Sequence, residues 1–323
     1  MSETVRLLTV ISRPEFLPAN LASIVIGLSW AINPSLISIW ELAILVILNF
    51  TIITVVAAFG AQMNTMYDYE LDSKDPRKKQ LVQAMGLLGR GKVKSFIIVE
   101  FLISAALIFL LLWFQGKPVL LFLWMAGSFL AYAYSAPPLR LKARSWLAFA
   151  ALLLVLCFLP ILFVFYTFAS EMDPFFLLFL VGQALTVYGV IVATETRDYF
   201  GDKEMGVETM TVRLGLVRGS LLGIVLLAAG CLLSGTAFFL KLVFEIQPVL
   251  TVFLLAIVVA DYIVLREYKK IYVLSKEYAS SNGRDSIAQE IVSLSAHNPK
   301  WINLVMMATV FMSLVLLAGK FIF

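Results

Sequence analysis

ELAILVILNFTIITVVAAFGAQMNTMYDYELD, residues 41–72, is the stretch whose reading decides the fold. Its apolar part, 41–66, is long enough as a helix to cross about 30 Å of hydrocarbon. Three oxygen-bearing side chains then arrive in quick succession: Asn64, Asp68 and Asp72. A charged side chain costs roughly 2.5–3.5 kcal/mol at the centre of an inserted helix, so acids beside hydrocarbon mark a working site. Their i, i+4 spacing stacks the three on one helix face.

A second cluster repeats the pattern far along the chain. Glu195-Thr-Arg-Asp198-Tyr-Phe-Gly-Asp202-Lys-Glu-Met-Gly206-Val-Glu-Thr209 follows another apolar run. Glu195 and Asp198 are i, i+3, and Asp198 and Asp202 are i, i+4, again one face. Gly201 and Gly206 predict that the helix breaks soon after, which puts backbone amides and Arg213 near the site. Taken alone, the first cluster also reads as a solvated helix end whose acids pair with Lys74 or Arg77, and the second as a loop with ordinary surface charge. Two acid-bearing faces suit a divalent metal. Magnesium takes oxygen ligands, keeps several waters, and uses one or two carboxylates together with substrate phosphates.

Composition sets the class. Hydrophobic residues make up 61% and charged residues 14% of 323 residues, with a mean hydropathy of +0.93. Soluble chains carry about 25% charged residues, so the expectation is an all-α, polytopic membrane protein. Nine spans are read at about 15–32, 41–66, 95–114, 118–135, 146–168, 174–195, 217–240, 247–265 and 301–321. The first is too long for a signal-peptide core and lacks a small-residue cleavage pattern. With the N-terminus inside, 22 of the 25 Lys and Arg residues fall on the inner side, and only Lys117, Lys241 and Lys320 fall outside. The positive-inside rule then places both acidic clusters on the cytoplasmic face. Cys157 and Cys231 sit apart in apolar runs and read as core thiols, without a disulfide or zinc site. The single histidine, His297, removes histidine-based metal sites and Ser/His/Asp triads.

The chain reads as a single transmembrane domain over 1–323, with three long inner connections at about 67–94, 196–216 and 266–300. Loops beyond about 12–15 residues are commonly functional, and two of these follow the acidic clusters. The recurrence of acids after spans two and six hints at a four-span duplication. Tyr262, Tyr268, Tyr272 and Tyr278 among lysines read as an interfacial anchor. Gly86-Leu-Leu-Gly89-Arg-Gly91 does not match a dinucleotide fingerprint and reads as a turn.

A third constellation is Tyr134-Ser-Ala-Pro-Pro-Leu-Arg140-Leu-Lys142-Ala-Arg144. The prolines stop the fourth span. Arg140 and Lys142 suit diphosphate oxygens, although positive-inside signalling explains the same cations without a ligand. The same two readings apply to Arg77, Lys78 and Lys79.

Taken together, Asn64-xxx-Asp68-xxx-Asp72 after span two, Asp198-xxx-Asp202 before Gly206-Val-Glu-Thr209 after span six, and the nine spans resemble the UbiA superfamily of intramembrane prenyltransferases. Arg13-Pro14, Leu17-Pro18-Ala19 and Thr209-Met-Thr-Val-Arg213-Leu-Gly215 are similar to that family too. Arg197-Asp198 with Asp202 looks like its menaquinone-type branch, and Tyr134 to Lys142 like its chlorophyll-synthase-type branch. Asp75-Pro-Arg77-Lys78-Lys79, in place of the usual Asn-Arg-Pro, departs from the pattern, as does the lack of a Gly-Asn pair after Lys142.

The resemblance implies a nine-helix bundle around a central cavity, with a lateral opening to lipid and two Mg²⁺ ions bridging a prenyl diphosphate. Asp68, Asp72, Asp198 and Asp202 are the expected catalytic metal-binding residues, assisted by Asn64 and Glu195. Arg140, Lys142 and Arg197 are expected to hold diphosphate. Tyr67, Tyr69 and Tyr199 are the aromatic faces nearest the motifs, where an allylic cation would be stabilised by about 0.5–2 kcal/mol each. The expected partners are a polyprenyl diphosphate donor, a hydrophobic and quinone-precursor-like acceptor, and membrane lipid, with no nucleic acid. A prokaryotic cytoplasmic membrane, with the site facing the cytoplasm, is the expected location. Two other readings stay open. A membrane terpene cyclase would use the same site without an acceptor. A secondary transporter would use intramembrane acids as an ion path, yet these acids cluster at one face.

Overall fold

The apolar runs fold as helices. The computed structural model describes residues 2–73, 78–204, 206–281 and 283–323, and these contain no strand. In chain order the helices are α1 (Glu3–Ile11), α2 (Leu17–Ala31), α3 (Ile39–Asp72), α4 (Lys79–Gln115), α5 (Pro118–Ser135), α6 (Ser145–Leu153) and α7 (Leu159–Phe168). They continue with α8 (Pro174–Glu204), α9 (Met210–Leu214), α10 (Leu216–Lys241), α11 (Leu255–Ser280), α12 (Asp285–Ser295) and α13 (Asn298–Ile322).

Some of these join end to end through tighter or wider turns. Among the described residues, eight continuous helices are long and apolar enough to cross a membrane, from Ile39–Asp72 to Asp285–Ile322. They correspond to eight of the nine expected spans. The remaining one, expected over 15–32, is α2, a helix of 15 residues. At 1.5 Å per residue it is about 22 Å long, shorter than the hydrocarbon core of a bilayer.

Stretches expected as long connections are largely helical. Helix α3 continues without a break through its acids to Asp72. The Gly86–Gly91 segment is helix on both sides of one residue, Gly89, whose φ of 76° and ψ of 148° place a kink in α4. Only glycine takes that backbone without strain. Helix α8 runs through Gly201 to Glu204, and Gly206, at φ 69°, turns the chain instead. Beyond the apolar part of α11, the chain continues to Ser280 and folds back as α12.

The chain divides into two compact units. The first comprises Met1–Gly27, Asn33–Leu141 and Leu159–Ser170. Here α3 pairs with α4 and α5, α5 packs on α7, and α1 rests on α4. The core of these contacts is Leu45, Leu48, Ile52, Ile108, Leu111 and Phe163, with Asn49 Oδ1 accepting from Thr167 Oγ1 at 3.0 Å inside it. A Cβ on Gly27 would stand 2.6 Å from Val164 Cβ, so only glycine lets α2 lie so close to α7.

The second unit comprises Leu28–Ile32, Lys142–Phe158 and Glu171–Phe323. Its tightest pairing joins α8 and α10 at two glycine levels. A Cβ on Gly182 would stand 2.5 Å from Ser234 N, and one on Gly189 would stand 2.7 Å from Leu227 N. From the other side, a Cβ on Gly230 would meet Thr186 N at 2.5 Å. Small residues let membrane helices approach backbone to backbone, where dispersion replaces the missing hydrophobic drive.

The three lysines that break the charge pattern are all tied to internal partners. Lys117 Nζ donates to the carbonyls of Tyr166, Thr167 and Ala169 at 3.1, 3.2 and 3.0 Å. Lys320 Nζ donates to the carbonyls of Trp30 and Ile32 at 2.9 and 3.1 Å. Lys241 is buried against Asp173 and Glu245. Two of them therefore satisfy the open carbonyls at a helix C-terminus, where cations are favoured.

Candidate functional site

In the first unit, the last two turns of α3 carry Asn64, Asp68 and Asp72 along one stripe, as the spacing predicts. Asp68 is 6% exposed and Asp72 3%. Burying a carboxylate requires a partner, and each has a cation. Lys78 Nζ donates to Asp72 Oδ1 at 2.6 Å, and an Arg140 guanidinium nitrogen stands 3.6 Å from Asp68 Oδ1. The amide oxygen of Asn64 accepts from Ser135 Oγ at 3.1 Å. Lys74, Asp75 and Arg77 lie outside the described residues.

Arg140 reaches Asp68 from the turn that ends α5. Ser135 closes that helix, the Pro137–Pro138 peptide is cis, and Arg140 sits at φ 37° with its N–H donating to the Ala136 carbonyl at 2.9 Å. A positive φ is uncommon for a residue with a Cβ, and such strain persists where surroundings hold it. Lys142 lies just beyond, in a single helical turn of Leu141–Ala143. Tyr67, 38% exposed, lines an apolar cavity with residues of α4 and α5. Tyr69 packs with Met85 and Leu88 of α4.

In the second unit, α8 presents Glu195, Asp198 and Asp202. Glu195 is held at both oxygens: Oε1 accepts from Tyr188 Oη at 2.8 Å, and Oε2 accepts from Thr211 N at 3.2 Å and Thr211 Oγ1 at 3.0 Å. This links α8 to α9, whose own N-terminus is capped by Thr209. Arg197 grips Asp198 through two bonds, Nε at 2.9 Å and Nη2 at 2.8 Å. Tyr199, 8% exposed, is packed in the core with Tyr268 and Trp301, and the Lys203 ammonium lies 5.8 Å from its ring centre. The Asp202 carbonyl accepts from Val207 N at 2.8 Å, which closes the turn after α8.

Ser135, Tyr188 and Thr211 are partners that reasoning from sequence passed over. Tyr188 carried a signal, since it lies seven residues before Glu195 on the same helix face. Ser135 and Thr211 were inside quoted motifs but had no local reason to be chosen.

Among the described residues, no three of His, Cys, Asp and Glu form a cage able to hold a metal by themselves. The α3 stripe offers two carboxylates and one amide oxygen, all hard donors, and no soft ligand. That set fits magnesium, which takes one or two carboxylates and completes its shell with water and substrate phosphate.

The model of the UbiA prenyltransferase family matches residues 20–272. No curated protein matches the chain. Among solved structures, a UbiA homolog from Archaeoglobus fulgidus bound to GPP and Mg2+ is 19% identical, with a TM-score of 0.60, over 93% of this chain and 99% of that one. The same homolog bound to DMAPP and Mg2+ has a TM-score of 0.57 at 17% identity, over 93% and 99%. A structure described as giving insights into digeranylgeranylglyceryl phosphate synthase in membranes has a TM-score of 0.65 at 14% identity, over 97% and 99%. At these identities the likeness is one of fold.

Proposed function

The chain belongs to the UbiA prenyltransferase family, and from that premise we propose that it moves an isoprenyl chain from an allylic polyprenyl diphosphate to a lipid-soluble, quinone-precursor-like acceptor, releasing diphosphate. The observation that carries this reading is the α3 stripe: two buried aspartates one helical repeat apart, each beside a cation, at the end of a membrane helix. Solved relatives bound to GPP or DMAPP with Mg2+ support the donor class.

In this reading Asn64, Asp68 and Asp72 hold magnesium from one unit. Asp198 and Asp202, with Glu195, are the residues that would hold a second ion on α8. Magnesium held there would neutralise the diphosphate and make it a better leaving group. Arg140, Lys142 and Arg197 bind diphosphate oxygens and stabilise the charge that grows on them as the carbon–oxygen bond breaks. Asp68 and Asp72 keep Arg140 and Lys78 in place through the pairs they make. Apolar side chains exclude water from the allylic cation until acceptor attacks carbon one of the chain. The acceptor's proton is then lost to a base. The basic residues that follow α3, α5, α8 and α11 support a site on the cytoplasmic face by the positive-inside rule.

The test is product analysis with purified protein, magnesium, prenyl diphosphates of several lengths and a panel of quinone precursors, tetrapyrroles and glycerol phosphates. Diphosphate release that requires both magnesium and an acceptor is the expected result. A cyclic hydrocarbon formed from the donor alone would identify a cyclase instead. Solute uptake without diphosphate release would identify a transporter.

A further inference from the structure

Within the first unit, α4 and α5 diverge over α3 and leave a cavity of about 550 Å³. It lies on the reverse of the acid stripe. Successive helical residues are about 100° apart, so the Phe59, Met63 and Met66 that line it fall on the side of α3 away from Asn64, Asp68 and Asp72. Its floor is aromatic, with Phe101 and Trp124 ring centres 5.3 Å apart and Phe59 set edge-on to Phe101 at 6.4 Å. Phe129 and Met125 at its side are 57% and 48% exposed. On membrane-spanning helices such exposure means contact with hydrocarbon, so the cavity opens sideways into lipid.

Two polar groups break the apolar lining. Lys94 stands at the rim, on the same end as Tyr67 and Tyr132, and no described residue takes a hydrogen bond or ion pair from it. Lower down, Ser128 is 6% exposed and its Oγ has no hydrogen-bond partner among the described residues. Serines in membrane helices ordinarily bond their own preceding turn, as Ser220 and Ser234 do here. A buried hydroxyl without a partner is destabilising, and an acceptor on a bound molecule removes that cost.

We infer that this cavity binds one anionic phospholipid, with its phosphate at Lys94, an ester carbonyl at Ser128 Oγ, and a chain over Phe101 and Trp124. The order of groups matches the ligand. A cation lies at the headgroup level, a lone donor sits one step deeper where ester oxygens lie, and rings line the hydrocarbon depth. Basic pockets between membrane helices take acidic headgroups for the same reason. A bound lipid there braces α3 from behind its acid-bearing face.

The test is native mass spectrometry of the full chain in neutral detergent, titrated separately with phosphatidylglycerol, phosphatidylcholine of the same chains, geranyl diphosphate and inorganic phosphate. One phosphatidylglycerol should bind in preference to phosphatidylcholine. Lys94→Gln, at an exposed position where folding is not at stake, should weaken that adduct about fivefold and weaken phosphatidylcholine less, since its choline already offsets the phosphate charge. Ser128→Leu should weaken both lipids, because it fills the slot and removes the donor. Equal retention of the two lipids, or a Lys94→Gln protein that binds phosphatidylglycerol as before, would overturn the inference. Binding of inorganic phosphate or geranyl diphosphate that depends on Lys94 and displaces the lipid would overturn it as well.

Discussion

Arg140 stands 3.6 Å from the Asp68 carboxylate and does so from a backbone with φ of 37°. The two residues are 72 positions apart, and each is costly alone: a buried acid, and a non-glycine residue in the left-handed region. Left-handed backbone costs roughly 1–2 kcal/mol for a residue with a Cβ. Held together, they bring a guanidinium beside the proposed metal-binding stripe.

Replacing the residue separates those two costs. Arg140→Gly relieves up to about 1 kcal/mol of strain but takes the guanidinium away from the buried Asp68 carboxylate, which costs at least as much, so the melting temperature should not rise, while turnover should fall more than tenfold. Arg140→Lys keeps the charge without the fork and should fall between wild type and Arg140→Gly in kcat. A glycine variant with full activity would remove Arg140 from diphosphate binding.

Asp68→Ala and Asp198→Ala should each abolish turnover, by roughly 10²-fold or more, while the protein still inserts in the membrane and purifies as wild type. Magnesium-dependent product formation in either variant would count against the assignment of the acids to metal.

Glu195 has both oxygens engaged by Tyr188 and Thr211, so two roles are separable. Tyr188→Phe and Thr211→Val should each lower stability by about 1 kcal/mol, the worth of an ordinary hydrogen bond. Glu195→Gln should match them in stability. If Glu195 also ligates metal, Glu195→Gln alone should raise the magnesium concentration for half-maximal activity; an unchanged value would make it purely a link between α8 and α9.

Gly230→Ala would place a Cβ 2.5 Å from Thr186 N, whereas Gly235 has nothing within 4 Å. The first should cost about 1–3 kcal/mol by overpacking, seen as a lower melting temperature, and Gly235→Ala should be neutral or slightly stabilising through helix propensity. Equal effects at the two sites would show that the close approach of α8 and α10 is not what holds this unit together.

Lys241→Met leaves Asp173 and Glu245 without their shared cation. Asp173 is half-buried and Glu245 exposed, so the cost stays below the roughly 3–5 kcal/mol of breaking a fully buried pair, and thermal stability should fall moderately. The double change Lys241→Met with Asp173→Asn should recover part of the loss.

Much of this protein was legible in the chain itself. Apolar length, helical spacing and the distribution of lysine and arginine are local properties, and hydrocarbon enforces them without help from distant residues. They were enough to locate the long helices and put Asn64, Asp68 and Asp72 on one stripe. They also isolated Lys117, Lys241 and Lys320 as exceptions, though not the reason for them. What tertiary structure alone decided is which distant groups meet: Arg140 with Asp68, Thr211 with Glu195, Lys320 with the end of α2, and the glycines of α8 with those of α10. It also made the first expected span a short helix and most expected loops helical. Such pairings depend on how side chains from separated segments pack and satisfy one another's charges and carbonyls, and no local pattern encodes the choice of partner.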